Sequence, residues 1–181
     1  MTVASYITLL RMVLIFPVMY LTYKGNILSN SLIALVLFLI AGITDYIDGY
    51  VARKMNTESS LGALLDLLAD KLLVCIILVW LVFILQNALL IFPVLLIIFR
   101  ELAVSSLRQY FVENIGKNPV KVTYIAKSKT TLQFISISFL ILSPHLGLLF
   151  NQITNILVWV AAFISLYSLF NYAKVYKDYL N

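Results

Sequence analysis

From Leu72 to Phe99 the chain carries no charged residue. A helix crosses about 30 Å of hydrocarbon in roughly 20 residues, so this run is too long for one crossing and holds two. Gln86-Asn87, its one strongly polar pair, is the turn between them. The same reading divides the rest of the sequence. Apolar spans are expected at 7–23, 27–50, 61–85, 88–110, 124–142 and 155–176, joined by Lys24-Gly25-Asn26, Lys54 to Ser60, Val112 to Val122 and Ser143-Pro144-His145. With 62% hydrophobic and 12% charged residues and a mean hydropathy of +1.01, an ordinary soluble domain is excluded. The apolar residues come in continuous blocks such as Leu132 to Leu142 and not in alternation, which excludes a membrane β-barrel. The expected fold is an all-α integral membrane protein, a six-transmembrane-helix bundle forming one domain over residues 1–181.

Charge sets the expected orientation. The 13 Lys and Arg exceed the 8 Asp and Glu, a formal charge of +5 that in so apolar a chain reads as loops on an anionic membrane surface and not as nucleic-acid binding. Arg53, Lys54, Arg108, Lys117, Lys121, Lys127, Lys174 and Lys177 fall at the connections on one side, while the other side offers only Lys24. By the positive-inside rule both termini and the two basic loops face the cytoplasm. The first block has the apolar run of a signal peptide without a small-residue cleavage site after it, so it reads as a retained span. With no transit peptide, a bacterial plasma membrane is the expected location. Cys75, alone among Leu, Val and Ile, supports neither a disulfide nor a Cys-based metal site, and His145 reads as an interfacial residue of an external turn.

Ionisable residues inside the spans carry the functional signal. Each costs about 2.5 to 3.5 kcal/mol near mid-membrane, so Asp45, Asp48, Asp66 and Asp70 facing lipid together would cost on the order of 10 kcal/mol. Counted from the external turns at ~1.5 Å per residue, Asp70, Arg100 and Lys129 share a layer roughly 20 to 24 Å deep, and Arg11 reaches a similar depth. These positions imply a polar cavity open to the cytoplasm. Asp45 and Asp48 are three apart and Asp66 and Asp70 four apart, so each pair occupies one face of its helix. Such an oxygen-only donor set suits Mg²⁺ or Mn²⁺, with two ions plausible once substrate oxygens complete the shells. A salt-bridged network with Arg53, Lys54, Lys71 and Arg100 is the competing reading. Gly49, Ala52 and Gly62 border the acidic faces, where small residues either permit close helix packing or make room for a base or a phosphate chain.

Taken together, Asp45-x-x-Asp48-Gly49-x-x-Ala52-Arg53, eight residues, then Gly62-x-x-x-Asp66-x-x-x-Asp70 resembles the complete motif of the CDP-alcohol phosphatidyltransferase family. Thr8-Leu9-Leu10-Arg11, Asp66-Leu67-Leu68-Ala69-Asp70-Lys71, Arg100-Glu101-Leu102-Ala103-Val104, Leu107-Arg108 and Lys127-Ser128-Lys129-Thr130-Thr131 are similar to strings of the bacterial branch whose acceptor is glycerol 3-phosphate. The resemblance implies that Asp45, Asp48, Asp66 and Asp70 hold two divalent ions on the pyrophosphate of CDP-diacylglycerol, and that Asp70 is also the general base for the acceptor hydroxyl. It further implies that Thr8, Gly49, Ala52, Arg53 and Gly62 bind CDP-diacylglycerol, and it suggests a homodimer among membrane lipids.

A phosphorylated acceptor needs cations, and Arg100, Arg108, Lys127 and Lys129, from spans four and five, are the candidates. Their alternative is interfacial anchoring, which weighs more for Arg108 and Lys127 than for the deeper pair. Phosphatidylglycerol or inositol phosphate as acceptor would keep the acidic motif and change the basic half. A divalent-cation transporter is the rival from another class, but the external halves of the spans offer almost no polar residue to complete a path.

Overall fold

The computed structural model describes residues 3–25, 27–55, 60–115 and 124–180, with side chains for 8–25, 27–44, 68–69, 71–113 and 128–177. Among these residues there is no strand. Six α-helices follow one another: α1 (Val3–Tyr23), α2 (Leu28–Met55), α3 (Ser60–Leu85), α4 (Ile91–Ile115), α5 (Tyr124–Leu142) and α6 (Gly147–Leu180). Short 3-10 turns at Ala88–Leu90 and Ser143–His145 precede α4 and α6. Two stretches, Ala88–Glu113 and Gly147–Lys177, are long and apolar enough to cross a membrane, and apolar helix also runs through Thr8–Tyr23, Leu28–Thr44 and Lys71–Leu85. Large apolar side chains stand exposed on every helix, among them Phe16, Leu39, Phe83, Phe99, Ile135 and Phe170. Exposed apolar surface of this extent marks contact with lipid or with a partner.

The helix bounds follow the sequence reading with one clear departure. α6 begins at Gly147, eight residues before the expected start of span six at Asn155. A membrane span needs apolar residues, whereas a helix needs only backbone hydrogen bonds, so Asn151, Gln152 and Thr154 continue the helix. The turn expected at Gln86-Asn87 is present. Gln86 adopts φ +48° and the Asn87 side chain accepts from the Leu89 amide at 3.1 Å, capping the 3-10 turn.

The chain divides into two compact units. The first comprises residues 1–86 and 137–151. In it α1 packs against both α2 and α3. Thr8, Arg11, Ile15, Val18 and Thr22 recur at spacings of three and four and form the buried stripe of α1, while α2 turns Ala34, Phe38 and Ala41 inward. Trp80 of α3 donates its indole N–H to the Thr22 hydroxyl at 3.0 Å and the Met19 carbonyl at 3.2 Å, tying α3 to α1. The turn after α1 requires Gly25, where a Cβ would stand 2.6 Å from the Thr22 carbonyl oxygen. Ser31, near the start of α2, bonds His145 at 2.9 Å.

The second unit comprises residues 87–136 and 152–181. The buried stripe of α6 runs Thr154, Val158, Ala161, Ser165, Ser168, Tyr172 and Tyr176, again at spacings of three and four. Further buried side chains come from α4 (Val94, Ile97, Arg100, Glu101, Val104, Phe111) and α5 (Lys129, Gln133, Ser136). Asn87 donates to the Asn155 side chain at 3.1 Å at one end. At the other, Val104, Phe111, Tyr172 and Tyr176 form an apolar cluster in which the Phe111 and Tyr176 rings stack at 4.1 Å.

Candidate functional site

Between those two ends of the second unit lies a layer of buried polar side chains. Arg100 is 4% exposed, Glu101 8% and Lys129 4%. The Arg100 guanidinium lies 3.4 Å from both carboxylate oxygens of Glu101 and donates through Nη2 to the Ser168 hydroxyl at 2.8 Å. Its carbon sits 5.7 Å from the centre of the Tyr172 ring, a cation–π contact. Lys129 donates to Glu101 Oε1. Gln133 spends both amide hydrogens inside the layer, one on Glu101 Oε1 at 3.1 Å and one on Ser165 Oγ at 3.3 Å. The helix periodicity explains why these residues meet. Lys129 and Gln133 are one turn apart on α5, and Ser165, Ser168 and Tyr172 occupy successive turns of α6.

The charge count of this layer favours anion binding. Among the described residues two cations share one carboxylate, a positive excess in surroundings of low dielectric, where an anion is attracted far more strongly than in water. Arg100 Nε is buried and has no hydrogen-bond partner among the described residues. A buried donor without an acceptor carries a desolvation penalty, and an oxyanion would remove it. Arg108 lies two helical turns beyond Arg100, about 12 Å along α4. It is half-buried, and among the described residues its Nε also lacks a partner and no hydrogen bond joins it to the Arg100 layer.

Of the expected acceptor-phosphate residues, the structure thus gathers Arg100 and Lys129 and leaves Arg108 separate; the side chain of Lys127 lies outside the described residues. The sequence reading missed Glu101, Gln133, Ser165 and Ser168. The signal for Glu101 was available, since a carboxylate deep in an apolar run demands a partner as firmly as the aspartates do.

In the first unit, Thr8 and Arg11 are buried one turn apart on α1, 2% and 1% exposed. The side chains of Asp45, Asp48, Gly49, Ala52, Arg53, Gly62, Asp66 and Asp70 lie outside the described residues, and among those that are described no group of three or more metal-ligating side chains occurs. Their backbone positions are described. α2 runs unbroken through 45–53 and α3 through 62–70, so the spacing argument holds: positions 45 and 48, and 66 and 70, are neighbours on one side of their helices.

The family model for CDP-alcohol phosphatidyltransferase matches residues 1–167, which include both acidic pairs and most of the buried polar layer. The chain belongs to this family. Among its relatives is a CDP-diacylglycerol--glycerol-3-phosphate 3-phosphatidyltransferase of Rickettsia typhi, 39% identical over 177 residues, covering 97% of each chain. The proteins of the same name from Rickettsia bellii and Escherichia coli K12 are 38% and 32% identical over 178 and 170 residues, covering 97% and 94% of this chain and 95% and 92% of their own. Members of this family transfer a phosphatidyl or related group from a CDP-linked donor, so the buried cations of α4 and α5 acquire a chemical context: the reaction handles phosphate at every stage.

Proposed function

We propose that this protein transfers the phosphatidyl group of CDP-diacylglycerol to glycerol 3-phosphate, giving phosphatidylglycerophosphate and CMP. Family membership and the names of relatives that match nearly end to end support the reaction. The observation that carries the acceptor is the buried Arg100 and Lys129 pair, whose unsatisfied Arg100 Nε suits a phosphorylated small molecule and would be wasted on serine. Arg108 and Lys127 would extend the same positive field toward the loop.

Asp45, Asp48, Asp66 and Asp70 are proposed to hold two divalent ions, Mg²⁺ or Mn²⁺, a donor set of hard oxygens that fits such cations. Metal bound there supplies neutralising charge to the pyrophosphate. The remaining work falls to side chains. Thr8, Arg53 and the small residues Gly49, Ala52 and Gly62 would seat CDP-diacylglycerol. Arg100 and Lys129 would hold the acceptor phosphate so that its hydroxyl is aligned for attack. Asp70 would take the hydroxyl proton as the oxygen forms its bond to the lipid-bearing phosphorus and the bond from that phosphorus to the CMP oxygen breaks. The proposal includes six membrane spans in one functional domain, a polar cavity open to the cytoplasm, cytoplasmic termini, residence in a bacterial plasma membrane and assembly as a homodimer.

CMP release by detergent-purified protein tests this reading, with CDP-diacylglycerol, Mg²⁺ and one of glycerol 3-phosphate, inositol phosphate, serine or phosphatidylglycerol. Release with glycerol 3-phosphate alone is the expected result. Release with a different acceptor would overturn the acceptor assignment and retain the family chemistry.

A further inference from the structure

Glu101 is a buried ionisable group without a role in the reaction as proposed. Glu101 is not placed to act on a substrate itself, because its carboxylate is already engaged. Oε1 accepts from Lys129 and Gln133, and Arg100 approaches both oxygens. A carboxylate bonded in this way is a poor metal ligand and a poor base, since its lone pairs are committed to donors that favour the ionised form. An anion beside a phosphate-binding pair would also weaken binding by repulsion if charge alone mattered. Its presence between the two cations therefore needs a reason.

We infer that Glu101 is a positioning residue of the acceptor subsite: it holds Lys129 and Arg100 side by side in the empty protein and so presets the geometry that receives the phosphate. This inference rests on the acceptor role proposed above for that pair. Two like charges forced together in a buried layer repel, and each would swing toward a separate partner without an anion between them. Glu101 removes that repulsion. Its described neighbours contribute to fixing it. Gln133 of α5 bonds Oε1 and is itself held by Ser165 of α6, and Ser168 together with the Tyr172 ring fixes the far side of the guanidinium. Among the described residues the Nε of Arg100 is left without an acceptor, and Lys129 is aimed at Glu101 from a neighbouring helix. A site ordered before binding loses less conformational freedom when the acceptor arrives, and the benefit appears in affinity for that substrate.

The test is steady-state CMP release in mixed micelles, varying glycerol 3-phosphate and CDP-diacylglycerol separately, for the wild type, Glu101→Gln, Lys129→Gln and the double variant. Glutamine keeps the size and the hydrogen-bonding shape while removing the charge. The expected result for Glu101→Gln is a KM for glycerol 3-phosphate raised about tenfold, with kcat within about threefold and the KM for CDP-diacylglycerol within about twofold. Because Glu101 acts by relieving the repulsion between Lys129 and Arg100, which Lys129→Gln already removes, adding Glu101→Gln to Lys129→Gln should change the acceptor KM by less than about twofold. An unmoved acceptor KM in Glu101→Gln, a collapse of kcat at unchanged KM, or a full tenfold effect persisting in the Lys129→Gln background would each overturn the inference. If Glu101→Gln alone is not recovered folded, the comparison of Lys129→Gln with the double variant decides. Wild-type protein that is inert with glycerol 3-phosphate would overturn the proposed function, and with it the inference; an active wild type with an unmoved variant overturns the inference alone.

Discussion

Lys129 of α5 donates to Glu101 of α4, and both are almost entirely buried. An ion pair at this depth is a weak source of stability, because desolvating two charges consumes most of what their attraction returns. What the pair does enforce is dependence: neither partner tolerates loss of the other.

Lys129→Met removes a charged donor from Glu101 and leaves Arg100 as its one cation among the described residues; it is expected to destabilise the protein by about 1.5–3 kcal/mol. Replacing both, as Glu101→Leu with Lys129→Met, takes the carboxylate from buried Arg100 as well and should lower stability further, while lowering activity with glycerol 3-phosphate at least as far as Lys129→Met does. Chemical denaturation in detergent, followed by tryptophan fluorescence, reads the first quantity and CMP release the second. A double variant as stable as Lys129→Met, or more so, would contradict this account.

Ser168 fixes Arg100 by accepting from Nη2, a hydrogen bond to a charged group. Ser168→Ala removes the acceptor and is expected to cost about 1.5–3 kcal/mol of stability. It should also raise the KM for glycerol 3-phosphate a few-fold at constant kcat, since the guanidinium keeps its charge and loses its orientation. Ser168→Thr, which keeps the hydroxyl, should remain closer to the wild type in both measurements.

The contrast between Asp66-x-x-x-Asp70 and Glu101 shows what a sequence of this kind discloses. Helix number and most bounds are legible because apolar length is nearly the same thing as a membrane helix, and same-face pairs are legible because helical spacing is fixed within one element. Which helices turn toward each other is a different matter. Arg100 and Glu101 are adjacent and point about 100° apart on an ideal helix, yet both are buried. Only the rotation of α4 against α5 and α6 decides that Lys129, Gln133 and Ser168 meet them, and no local pattern encodes that rotation. Ser165 and Ser168 were illegible for a related reason, since serine in an apolar helix serves packing as readily as a polar site.

The turn at Gln86 is a separate test of local conformation. A side chain at φ +48° is held in the left-handed region, which disfavours residues with a Cβ and most of all β-branched ones. Gln86→Val should lower stability by roughly 1–2 kcal/mol. Gln86→Gly should leave it equal or slightly raised, as relief of the Cβ clash offsets the added freedom of the unfolded chain. Thermal unfolding of the two variants in the same detergent makes the comparison, and neither should alter the KM for glycerol 3-phosphate. Equal destabilisation by both would show that the conformation at this position is not what the turn depends on.

The proposed roles of the aspartates separate in their response to metal. Asp70→Asn removes both a metal ligand and the proposed base, and CMP release should fall by about 10²–10⁴-fold or more. Treating the wild type with a chelator should abolish release as completely, with recovery on adding Mg²⁺ or Mn²⁺ to excess. The two losses differ in reversibility: raising the metal concentration restores the chelated wild type and, if Asp70 is the base, leaves Asp70→Asn inactive even at saturation. Asp45→Asn and Asp66→Asn, which lose a ligand without losing the base, should regain part of their activity as metal is raised. Recovery of Asp70→Asn to the same extent would reduce Asp70 to a ligand and transfer the proton to another acceptor.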